Sequence, residues 1–91
     1  GSDHRYISQN HTVDNAVEGH ANLTLNNASS SVEFEGWTGS SWQTVNSTTV
    51  TNSGLVEVDI SSADYSKWRA NVSFEATGSD PVGKLHDESI L

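Results

Sequence analysis

Apolar and polar residues alternate along much of this chain with a period of two. Between Leu55 and Ile60, Val56, Val58 and Ile60 fall on one side and Leu55, Glu57 and Asp59 on the other. Between Trp68 and Ala76, Trp68, Ala70, Val72, Phe74 and Ala76 oppose Arg69, Asn71, Ser73 and Glu75. Such alternation puts one set on a single face of a β-strand, and no helical period fits it. The polar link from Ser61 to Lys67 predicts a corner between these two strands. Tyr65 within it either supplies a hydrogen bond to the corner or packs beneath it.

The remaining elements gather around this pair. His20 to Asn26 alternates Ala21, Leu23 and Leu25 against Asn22 and Thr24, and Ser31 to Gly36 sets Val32 and Phe34 against Glu33 and Glu35. Both read as half-buried strands, with Asn26 to Ser31 as the turn between them. Trp37 and Trp42 flank Thr38-Gly39-Ser40-Ser41, which predicts a hairpin with Gly39 available for a positive φ. Gln43 to Asn52 offers a weaker strand or two short ones, and Asn52-Ser53-Gly54 and Ser79-Asp80-Pro81 are turns. Val13 to Gly19 reads as a loop. The fold class expected is all-β: an antiparallel β-sandwich or jelly-roll of seven to eight short strands, with a barrel as the competitor. The chain divides into an extended N-terminal arm over 1–12 that includes a short edge strand near Tyr6, a β domain over 13–81, and a C-terminal strand or arm over 82–91.

Composition changes this picture in two ways. Leu, Ile, Val and Phe total 19 of 91 residues, while Ser, Thr and Asn total 31, so the core is small, and without Cys it has no disulfide staple. Oligomerisation or docking to a larger body is the usual remedy for a core of this size. The net charge of −8 argues against nucleic acid and against anionic membrane surfaces as partners.

Candidate chemistry is sparse. Exposed Trp on a hairpin suits stacking of sugar rings, so Trp37 and Trp42 with Gln43 form a possible ligand platform, with Glu35 and Asn46 near enough to hydrogen-bond. The same two rings would equally serve to close the end of a core this poor in Leu and Ile. His4, His11, His20 and His86 show no H-x-H or H-E-x-x-H spacing, and Asp59, Asp64 and Asp80 sit at turns without a D-x-D-x-D pattern, so no metal and no cofactor is expected. There is no nucleophile elbow, no Cys and no Gly-rich phosphate loop, and Glu33 and Glu35 read as a solvated strand face; the chain is not expected to be an enzyme. Five N-x-S/T sequons occur, at Asn10, Asn22, Asn27, Asn46 and Asn71, against about two expected by chance from eight Asn.

The order GWTGSSWQTV, GLVEVDIS and YSKWRANVSF, between Gly36 and Phe74, resembles small β-sandwich accessory modules that decorate the heads or tails of tailed bacterial and archaeal viruses. It is also similar to carbohydrate-binding modules in which a Gly-containing hairpin leads into a Trp. The first resemblance implies a non-enzymatic structural protein on a virion or another external surface. It would be a homotrimer bound to a larger protein shell such as a capsid, and its termini would make the contacts through Tyr6, Ile7, Leu85, Ile90 and Leu91. The second implies a glycan ligand stacked on Trp37 and Trp42.

Overall fold

The structure is a computed structural model that describes residues 4–91; the first three residues of the predicted N-terminal arm lie outside that range. Its strands are β1 (His4–Ile7), β2 (His11–Thr12), β3 (Glu18–Asn26), β4 (Ala28–Trp37), β5 (Trp42–Val50), β6 (Gly54–Asp59), β7 (Lys67–Ala76) and β8 (Val82–Ile90). All pairings are antiparallel, and there is no helix among the described residues. One sheet has the order β1-β7-β4-β5, with β2 continuing the β1 edge, and the other has the order β6-β3-β8.

The two alternating runs become β6 and β7, and the corner between them carries the chain from one sheet to the other. Their apolar sides meet in a shared core. Trp68, Ala70 and Val72 of β7 and Val32 and Phe34 of β4 face Ala21 and Leu23 of β3 and Val56 and Val58 of β6, all buried. Each large side chain so buried contributes about 1.5–3 kcal/mol. Two glycines let the elements approach closely: a Cβ on Gly19 would stand 2.5 Å from the Phe34 ring, and one on Gly36 would enter the ring of Tyr65. Tyr65 packs edge-on against Trp68, with ring centroids 5.7 Å apart. The corner hydrogen bond runs from the Trp68 indole N–H to the Tyr65 carbonyl, 3.1 Å, so Tyr65 supplies backbone and a ring.

Some expectations are corrected, and some that left alternatives open become definite. Asn26 to Ser31 is not a turn: the chain changes sheet at Asn27 alone, whose φ of 49° makes the bend, and Ala28 to Ser31 already belongs to β4. The Ser run is held extended because it has a partner on each side, β7 and β5, and the buried Ser30 hydroxyl donates to the Ser73 carbonyl at 2.9 Å. Gln43 to Asn52 is one strand to Val50, bulged opposite Phe34 and Glu35. The chain at 4–12, expected to be an arm with a short edge strand near Tyr6, is an edge of the larger sheet. His4–Ile7 and His11–Thr12 both pair with β7, and Ser8 bridges the gap. Of strand or arm, 82–90 is the strand, paired with β3, and the correction is to its contact residues: Ile90 is a core residue and Leu85 packs on the core, so neither stands outside it. The reason is register: β8 reaches Gly19, which brings Ile90 over the apolar interior.

Candidate functional site

Three surfaces carry the chemistry of this molecule. The first is the tip of the β4–β5 hairpin. Trp37 and Trp42 are a directly opposed cross-strand pair, closed by Thr38 N–H donating to the Ser41 carbonyl at 2.9 Å, with Gly39 at φ 104°. Their ring centroids lie 5.3 Å apart at 56°. The Arg69 guanidinium sits 4.4 Å from the Trp42 ring centroid, the geometry of a cation–π contact. Its Nε donates to Glu35 Oε1 at 2.6 Å, and Arg69 and Glu35 are cross-strand partners. Glu35 is buried, so the solvated role expected of it is corrected: Arg69 and the neighbouring strand cover it. Both Trp rings are half-buried on the outer face of the larger sheet, where Glu33, Asn71 and Ser73 continue the row.

Gln43 does not join this group. It pairs with Gly36, one residue along from Trp42, and adjacent residues of a strand point to opposite faces. Asn46 is also elsewhere, because its amide donates to the Asp59 carbonyl at 2.9 Å and ties β5 to β6. Arg69 is the residue that the sequence alone passed over. Its signal was the alternation of β7, which put a cation on the outer face, but the partner strand and the register were needed to set it beside Glu35 and Trp42.

The second surface is the flank made by the chain's two ends. β1 and β2 edge the larger sheet, and β8 edges the smaller one. The two edges adjoin: His11 Nε2 lies 3.1 Å from Glu88 Oε1 across the gap between sheets, and a Cβ on Gly83 would stand 2.5 Å from the Phe74 ring. Tyr6, Ile7 and Leu91 are exposed there, whereas Leu85 and Ile90 are turned inward. Leu91 is fixed by backbone hydrogen bonds with Val17 and Glu18, and Val17 is exposed beside it.

The third surface is the outer face of β3 and β6. Glu18 and His20 lie two apart on β3; His20 pairs with Glu57 and Glu18 with Asp59. His20 Nε2 stands 3.0 Å from Glu18 Oε1 and 3.7 Å from Glu57 Oε2. A hydrogen bond with the Glu57 carboxyl, then one with His20, holds Glu18 below the usual glutamate range. Asp59 is held below its usual range by the Ser61 hydroxyl at 2.6 Å and by the Ser61 backbone N–H at 2.9 Å.

Neither a known protein family, nor a curated protein, nor a solved structure matches the chain. Function is therefore argued from these surfaces.

Proposed function

We propose that this chain is a β-sandwich accessory module without catalytic activity, which attaches to a larger assembly through the flank formed by its two terminal strands. A virion shell is the setting that the sequence resemblance implies, and a homotrimer is the proposed form. One observation carries the reading: both ends of the chain are sheet edges on the same flank, with Tyr6 and Ile7 exposed on one of them. An edge strand presents unpaired N–H and C=O groups to a neighbour, and addition of a strand to such an edge is a common mode of attachment. The small core supports the same reading, because contacts made in an assembly add to what the isolated domain buries.

The test is the solution mass of the full chain by light scattering, beside a variant carrying Tyr6→Asp and Ile7→Asp. A trimer that becomes monomeric in the variant is expected. A folded monomer at every concentration would overturn the assembly through this flank.

A second reading rests on the hairpin tip, which we propose as a glycan platform in the event that the chain is monomeric. Two Trp rings beside an Arg–carboxylate pair combine a stacking surface with directional polar groups, the usual make-up of a small-ligand site. On this reading Trp37→Ala should abolish binding in a glycan screen while the protein stays folded. If no glycan binds the native chain, the reading fails.

A further inference from the structure

We propose that the outer face of β3 and β6 binds a divalent transition-metal ion, with Glu18, His20 and Glu57 as its three protein ligands and zinc as the ion that suits them. The three ligand atoms lie within 4.8 Å of one another. Zinc with bonds of about 2.0–2.2 Å sets its ligand atoms roughly 3.3–3.5 Å apart, and the contacts of 3.0 and 3.7 Å about His20 bracket that spacing. Small side-chain rotations suffice, because the backbone already holds the set. β3 is the middle strand of its sheet, His20 and Glu57 are partners in register, and Glu18 shares their face.

The donors are mixed, one imidazole nitrogen and two carboxylate oxygens. That set suits a borderline ion; calcium takes six to eight oxygens, which this face does not gather. Three protein ligands leave a fourth position open to water, as in zinc sites that are not purely structural.

Charge supplies a separate argument. Glu18 stands directly across the ladder from Asp59, and like charges placed so are destabilising. Glu57 is two residues from Asp59 on the same face. Among the described residues no Lys or Arg forms an ion pair with any of these three carboxylates; the one described Arg pair is Arg69 with Glu35. Three acids and one imidazole therefore cluster without an ion-paired Lys or Arg, since the lysine of this face, Lys84, stands beside Thr24, four residues along β3 from His20, and a bound divalent ion would offset their repulsion. This site adjoins β8 through the pairing of His20 with Ser89 but uses none of the flank's exposed side chains Tyr6, Ile7 and Leu91, and it is separate from the Trp pair.

The test is isothermal titration of the full chain with zinc chloride alone in a non-chelating buffer, together with thermal unfolding. Saturable binding of one ion is expected, with a rise in unfolding temperature on adding zinc. His20→Ala should weaken binding by at least about tenfold, whereas His11→Ala, on the opposite sheet, should leave it unchanged. No saturable uptake, or equal affinity in His20→Ala, would overturn the site. Should His20→Ala fail to fold, Glu57→Gln, an exposed residue, decides in its place by the same criterion.

Discussion

At Ser8 the chain leaves the ladder between β1 and β2, and its side chain takes over from the backbone. The Ala70 N–H donates to the Ser8 hydroxyl at 2.8 Å, and the Ser8 N–H donates to the Ala70 carbonyl at 2.9 Å. Ser53 does the same beyond the last pair of β3 and β6, accepting from Leu25 N–H at 2.8 Å and donating to the Leu25 carbonyl at 3.1 Å. The difference is burial: Ser8 and Ala70 are both buried, while at the second site Leu25 is buried but Ser53 is exposed and opens it to solvent. An unpaired N–H sealed from solvent costs its desolvation, whereas one at a solvent-open site such as that of Ser53 can take water in place of the hydroxyl. Ser8→Ala should therefore destabilise by about 1–3 kcal/mol in urea unfolding, and Ser53→Ala by less. Equal losses would mean that water reaches Ala70 once the hydroxyl is gone. Arg69 is judged on the same footing. Arg69→Met leaves Glu35 buried without its partner and should destabilise by roughly 1–3 kcal/mol, discounted from a fully buried pair because Arg69 is partly exposed. Unchanged unfolding would show that Glu35 is hydrated in the variant.

At the scale of elements the two terminal strands look alike in sequence and differ in structure. β1 is four residues long, exposed throughout, and held by β7 alone. β8 is nine residues long, pairs with β3 over most of its length and delivers Ile90 to the core. Removing the chain up to Ile7 should leave a folded domain by circular dichroism. Removing 86–91 should unfold it, since it takes away Ile90, worth about 1.5–3 kcal/mol, and half a ladder, from a domain whose total is about 5–14 kcal/mol. A folded product from the second truncation would show that β8 is dispensable. Truncation at that end thus reports on folding before it reports on docking, and point changes at Tyr6 and Ile7 are the cleaner probe of the flank. The strands of β3, β4, β6 and β7 were legible because one face of each is apolar and the other polar, the pattern that burial on one side demands. The ends were legible only as strand or arm, because residues 82–90 alternate weakly: Leu85 and Ile90 are the large apolar groups turned inward, while Val82 is exposed. The hairpin at Trp37 and Trp42 was legible from its Gly-containing link. The partners of those rings were not, because Arg69 and Glu35 meet only once the register of β4 on β7 is set, and Glu18, His20 and Glu57 only once β3 lies on β6.

For the whole molecule the governing quantity is charge. Twelve acids against four Lys or Arg give −8 on a body about 41 × 23 × 18 Å, so copies of this chain repel one another before any contact forms. The cations are unevenly placed. Glu18, Glu57 and Asp59 crowd one end of the outer face of the smaller sheet, which carries Lys84 farther along, while Arg5 and Arg69 lie on the larger one among Glu33, Glu35 and Glu75. The terminal flank joins the two, and on its β1 edge the exposed Tyr6 and Ile7 are uncharged beside the exposed Arg5. Association through that flank would bury apolar surface and pair backbone groups, neither of which salt weakens, while salt screens the repulsion between the acidic bodies over a length of about 10 Å at 0.1 M and 3 Å at 1 M. The proposed trimer should therefore tighten as sodium chloride rises from about 0.1 to 1 M, seen as a fall in the midpoint concentration for assembly in light scattering. An assembly held instead by complementary charges, acidic face of one copy on the Arg-bearing face of the next, would loosen over the same range. A midpoint that moves upward with salt would thus transfer the interface from the terminal flank to the sheet faces.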